Sequence, residues 1–267
     1  MERAVDLGPL EDIRWRTMVS GNWDDSPNWT VSTQPGRVHN VSIDPEISLS
    51  VSGPAADVTV RSLVIGDSGG VGQPTLNLQA GTILNAAIGL VVHSNATVNF
   101  EIGGTDPADF AQLRAADGVA TLNGTLAVSL VDQGSGLFVP SAGDTFMILS
   151  AEDGIFSQFT EQQLPAVAGG TGLTWQVHYN ANNVTLEVLS TLVGDYNGNG
   201  VVDAADYVVW RKTDGTPAGY NAWRTHFGQT AATSAAQAAV PEPDTAGLVL
   251  VGLLGMVRRR TRGRHPC

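Results

Sequence analysis

The chain has 267 residues, 42% of them hydrophobic, which is enough for a buried core and excludes wholesale disorder. Its formal net charge is −12, from 26 acidic residues against 13 arginines and one lysine, Lys212. Five of the arginines (Arg258, Arg259, Arg260, Arg262 and Arg264) fall in the last ten residues; setting them aside leaves nine basic against 26 acidic side chains, a net of −17. Such a body repels nucleic acid and anionic membranes and favours cations as partners. The single cysteine, Cys267, excludes an intramolecular disulfide.

The chain starts MERAVDLGPLEDIRWRT, a stretch without the apolar segment of a signal peptide, and residues 1–19 are expected to form a leader, loose over residues 1–14. SGNWDDSPNWTVSTQPGRVHNVSID follows, with Trp23 and Trp29 flanking the turn-forming DDSPN. Two roles are open to this pair: capping the first layer of a β-domain, or stacking on sugar rings. From about residue 38 to 189 the segments VHNVSI, ADVTVRSLVI, PTLNLQ, ATVNFEI, TLNGTLAVSLV, TFMILS, LTWQVHY and NNVTLEVL alternate or run apolar, separated by Gly, Pro, Asn or Asp. FAQLRAA (110–116) carries the longest helix-like stripe in this block. The expected class is therefore mainly β. Leu76 and Leu78, Val98 and Phe100, and Leu122 and Leu126 recur at roughly two dozen residues, within the range of solenoid coils. A right-handed β-helix, with residues 120–189 as a sandwich-like cap, is the preferred architecture, and a β-sandwich or jelly roll the alternative.

The stretches GNWDDSPNW, NFEIGGTDPADFAQL, VPSAGDTFMILSAEDGIFSQF and LTWQVHYNANNVTLEV resemble the passenger-type strand regions of bacterial surface proteins, including autotransporter passengers. The resemblance spans residues 20–189 and implies a non-catalytic scaffold.

A different pattern begins at DYNGNGVVDAAD. Counting from Asp195, oxygen-bearing side chains occupy positions 1 (Asp195), 3 (Asn197), 5 (Asn199), 9 (Asp203) and 12 (Asp206), with Gly200 at position 6. Val201, at position 7, offers its carbonyl. This is the spacing of an EF-hand loop, in which Ca²⁺ gathers six or more oxygen ligands while the glycine makes the sharp turn. DYVVWRK (206–212) is placed as the exit helix, whereas the preceding TLEVLSTLVG is strand-like. A calcium loop ending in Asp, with an exit helix and no helix before it, resembles the type I dockerin repeat. ADYVVWRKTDG (205–215) is echoed by AGYNAWRTHFG (218–228), which aligns Tyr207 with Tyr220, Trp210 with Trp223 and Arg211 with Arg224. The second copy has lost its loop, Gly219 standing where Asp206 stands, so one Ca²⁺, two short helices and a Tyr/Trp pair packed between them are expected across residues 190–229. In dockerins, hydroxyl residues at positions 10 and 11 commonly contact cohesin; Ala204 and Ala205 stand there, so the resemblance does not extend to cohesin binding.

Residues 230–239 are a low-complexity linker, and residues 240–267 form a tripartite tail. Val240, Pro241, Glu242 and Pro243 precede the apolar run AGLVLVGLLGMV (246–257), which in turn precedes the arginine block. A hydrophobic helix is expected over the run, which is shorter than the roughly 20 residues a membrane span needs. The arginines would stay cytoplasmic and everything before them outside. This arrangement resembles the PEP-CTERM sorting signal, which implies export, recognition by exosortase-type machinery at residues 240–243, transient membrane anchoring by residues 246–257, and delivery to the cell envelope or the extracellular polysaccharide matrix. Export also implies a signal peptide, expected upstream of Met1.

For enzymatic chemistry the block offers little. Between Arg61 and Arg211 the only Arg or Lys is Arg114, too few cations to neutralise a uronate for a lyase. Glu101, Asp106, Asp109 and Asp117 are the carboxylates available to a glycoside hydrolase, which needs two of them about 5–9 Å apart, and nothing in the sequence fixes a pair. A non-enzymatic structural or adhesive protein is therefore expected, with a carbohydrate-binding module or a dockerin-bearing polysaccharide-active protein as the alternatives.

Overall fold

The computed structural model describes residues 11–167 and 172–231. The expected hydrophobic helix at 246–257 and the sorting residues 240–243 lie outside the described residues. In chain order come β1 (Glu11–Arg14) and β2 (Gly21–Asn22), then 3-10 turns at Ser26–Asn28 and Thr30–Ser32. Three groups of three strands follow: β3 (His39–Ile43), β4 (Leu49–Ser52) and β5 (Val58–Val60); β6 (Ser62–Ile65), β7 (Pro74–Leu78) and β8 (Ile83–Ala86); β9 (Gly89–Val92), β10 (Thr97–Ile102) and β11 (Gln112–Ala115). Next are β12 (Val119–Leu122), β13 (Thr125–Leu130) and β14 (Thr145–Ala151), then β15 (Glu161–Gln163), β16 (Leu173–Tyr179) and β17 (Asn183–Ser190). Helices α1 (Ala204–Thr213) and α2 (Pro217–His226) close the described part.

The protein is mainly β, with three sheets among the described residues. The first has the order β1-β3-β6-β9-β12, the second β15-β13-β10-β7-β4-β2, and the third β16-β17-β14-β11-β8-β5. From β3 to β14 the chain visits first, second and third sheet in turn, and each return adds one parallel strand beside the last. Strands adjacent in sequence thus lie in different sheets, unlike the antiparallel neighbours of a sandwich.

Strict alternation explains the packing. β10 reads Thr-Val-Asn-Phe-Glu-Ile, and its Val98, Phe100 and Ile102 are buried while the residues between face outward. Parallel pairing stacks like on like. Ile13, Val41, Leu63, Leu90 and Ala120 form one interior ladder, and Val51, Leu76, Val98 and Leu126 form another. Val58, Leu84, Leu113 and Leu149 form a third, and all three ladders meet in one hydrophobic core. Each large aliphatic side chain so buried contributes about 1.5–3 kcal/mol.

Several expectations need correction. Leu122 does not continue the Phe100 row: it lies on β12 in the first sheet beside Val92, and Phe100 pairs with Val128. The reason is unequal turns. Register partners are 22 residues apart at Val41 and Leu63, but 30 at Leu90 and Ala120 and 36 at Leu113 and Leu149. The leader is not loose throughout, because β1 pairs with β3 and buries Ile13 and Trp15. FAQLRAA, part of the block read as all-β, contains strand β11. Residues 120–189 do not form a separate sandwich: the antiparallel hairpin β16–β17 extends the third sheet at β14. Trp23 and Trp29 are fully buried, their rings edge-on at 4.9 Å, with the Trp29 indole N–H donating to the Trp23 carbonyl at 2.7 Å. No sugar can reach them, so they belong to the core under the first strands.

Candidate metal centre

The loop leaves the sheet at Ser190, the end of β17, and turns through Gly194 at φ +95°. Its oxygens are drawn inward by the loop's own backbone. Asp195 Oδ1 accepts from the Gly198 and Asn199 N–H groups at 2.9 and 3.2 Å, and its Oδ2 accepts from Gly200 at 2.8 Å. Asn197 Oδ1 accepts from Asn199 N–H at 3.0 Å and Asn199 Oδ1 from Val201 N–H at 2.9 Å. These are the short-range turns that Asp and Asn side chains favour. Gly200, at position 6, sits at φ +83°, a conformation that side-chain-bearing residues rarely adopt.

The far end of the loop is also the start of α1. Asp203 caps the helix, its Oδ1 accepting from Ala205 N–H at 2.7 Å. Asp206, in the first turn, returns the bond by accepting from Asp203 N–H at 2.8 Å with Oδ2, so the two form a reciprocal capping box. Asp206 Oδ1 reaches back to the Asn197 N–H at 2.9 Å and closes the loop on itself. This carboxylate is fully buried. Among the described residues the only ion pairs are Arg14–Asp44 and His178–Glu187, so none of the three loop aspartates has a basic partner. A buried carboxylate without a countercharge is costly.

Val201 is held differently. The Gly200 and Val202 carbonyls accept from the Ala231 and Gly228 N–H groups at 2.7 and 2.8 Å, and the Val202 N–H donates to the Gln229 carbonyl. None of these three bonds takes the Val201 carbonyl, as the alternation of an extended segment dictates. Three carboxylates, two carboxamides and this carbonyl make an all-oxygen donor set, the chemistry of Ca²⁺ and not of zinc or copper. Among the described residues no three His, Cys, Asp or Glu side chains converge closely enough to hold a metal by themselves. Half of this donor set, however, is amide or backbone oxygen. By donor chemistry, burial and missing countercharge, the residues fit a calcium ion.

Around the loop the helices pack as expected and with more aromatic surface. Tyr207 lies 5.3 Å from Trp210, 5.2 Å from Trp223 and 6.2 Å from Tyr220, and Trp223 lies 5.2 Å from Phe227. The Trp223 indole N–H donates to the Asp203 carbonyl at 2.7 Å and ties α2 to the loop. At Gly219 a Cβ would collide with the Asp214 carboxylate, the Tyr196 hydroxyl and the Trp210 indole nitrogen. Those groups fill the space that a counterpart of Asp206 would need. Partial burial, then the charge of Asp214 and a hydrogen bond to it, raise the Tyr196 pKa above the ordinary 10.0. Sequence reasoning missed the Asp203–Trp223 bond, the role of residues 228–231 and the Tyr196–Asp214 contact, none of which leaves a spacing signal.

The carboxylates considered for glycoside hydrolysis lie on β10 and on the two turns that flank β11. Glu101 projects from β10 and accepts from Ala80 N–H at 3.3 Å, while Asp106 and Asp109 sit in the turn leading from β10 to β11. Asp117 lies in the next turn, between β11 and β12, where the chain passes from the third sheet to the first. No helix among the described residues is long and apolar enough to cross a membrane. No protein-family model matches the chain, and comparison with curated proteins finds no match.

Proposed function

We propose that this is an exported, non-catalytic scaffold of the cell envelope or extracellular matrix, built as a β-helix and joined to a calcium-organised, dockerin-like module. The β-helix reading is supported by the repeated visiting order of the three sheets around one core, and the general preference of parallel crossovers favours the right-handed form. Such a stack presents long, regular outer faces and suits a structural or adhesive role. The observation that carries the proposal is Asp206: a fully buried carboxylate with no basic partner among the described residues, closing a loop whose remaining oxygens follow the calcium spacing.

The bound ion would be held by Asp195, Asn197, Asn199, the Val201 carbonyl, Asp203 and Asp206. It would supply the missing countercharge, and its binding energy would add directly to the stability of the helical module. The address is the tail: VPEP, the apolar run and the arginines would deliver the chain through exosortase-type machinery. Expression of the full chain in an exosortase-bearing bacterium tests this part. The wild type is expected in the envelope or medium with its tail removed, and the triple change of Pro241, Glu242 and Pro243 to Ala is expected to stay uncleaved. Identical distribution and size for the two would overturn the sorting proposal.

A further inference from the structure

The outer face of the second sheet carries rows of neutral polar side chains. Thr75 and Thr97 are register partners, as are Asn77 and Asn99. The Asn77 amide donates to Ser50 at 2.5 Å, the Asn99 amide to Asn77 Oδ1 at 3.3 Å, and the Ser129 hydroxyl to Asn99 Oδ1 at 3.0 Å. The chain then leaves β15 through Gln163, Leu164 and Pro165 along one side of this face, and the Trp175 indole N–H fixes the Pro165 carbonyl at 3.0 Å. The result is a groove of about 590 Å³ with a polar floor and an apolar wall, within the range of ligand sites. Among the described residues not one ionisable side chain lines it, although the chain carries 26 acidic residues.

We propose that this groove binds a neutral, hydroxyl-rich polysaccharide chain laid across the strands. Rows of hydroxyls and carboxamides repeat at the strand spacing of about 4.8 Å and both donate and accept, as sugar hydroxyls do. Leu164 and Pro165 offer an apolar edge to the C–H faces of sugar rings. The absence of cations leaves nothing to recognise a uronate or sulfate, and the acidic body repels polyanions. The choice of glycan rests on the matrix reading above; the groove itself does not depend on calcium or on the tail.

Affinity electrophoresis of the full chain tests it, in native gels containing hydroxyethylcellulose, laminarin, xyloglucan or guar galactomannan, with alginate as the anionic control. Retardation by at least one neutral polymer and none by alginate is expected. Filling the groove with Thr97→Trp should weaken that retardation about tenfold or more, and the gentler double change Thr75→Ala/Thr97→Ala should weaken it in the same direction. Thr59→Trp, on the outer face of the third sheet, should leave it unchanged. No retardation by any neutral polymer, retardation by alginate alone, or retardation untouched by both groove variants would overturn the proposal. Calcium binding and tail processing would stand in each case, so its failure is separable from theirs.

Discussion

Asp206 shows how one side chain serves two structures. It completes the cap of α1 and closes the loop from Asn197, and it is buried with no basic side chain beside it among the described residues. Asp206→Asn keeps the shape but sets an NH₂ group against one of two backbone N–H donors. It is expected to destabilise the helical module by about 1–3 kcal/mol even without calcium, as read by thermal melting of the tryptophan signal; an unchanged melt would show that the cap does not depend on the carboxylate. Tyr196 supplies a pH dependence. Its folded pKa is raised, so the fold favours the neutral phenol. The contribution is complete below the unfolded tyrosine value of 10.0 and is lost as pH rises through the higher folded value. Ultraviolet titration should find one tyrosine ionising late, and Asp214→Asn should bring it back toward the others.

At the scale of elements, alternation made most strands legible, because a half-buried strand must place every second side chain inside. Phe100 is the clearest case, buried on β10 between Leu78 and Val128. Phe100→Ala is expected to cost about 3–5 kcal/mol in chemical denaturation, whereas Thr59→Ala on an outer face should change little. β1 escaped notice because EDIR holds one apolar residue, too few to show a period, and its strand character comes from pairing with β3. Leu122 was assigned to the wrong row because the loops between register partners differ in length, so equal spacing in sequence is not equal position in space. The loop from Asp195 to Asp206 was legible for the opposite reason: its side-chain oxygens bond to backbone a few residues away, and such local spacing survives in the sequence. What holds the loop from outside, Trp223 and residues 228–231, is long-range and left no pattern.

For the whole molecule, the loop is the joint between the helices and the strands. Gly200 lies against Ala142, and residues 228–231 bridge back to the loop. Chelation should therefore loosen the helical module more than the strand body, whose core holds no loop ligand. At calcium a hundredfold above the dissociation constant, the stabilisation is about 2.7 kcal/mol. Scanning calorimetry with and without EDTA should show the helical transition falling while the main β-transition moves little; equal shifts would mean that the two parts melt as one.

Calorimetric titration of the full chain with Ca²⁺ tests the central claim most directly, beside Asp195→Ala and Asp206→Ala. One binding site in the native chain and none in either variant is the expected result. No heat of binding in the native chain, or binding that survives both substitutions, would contradict the assignment of Asp195 to Asp206 as a calcium loop.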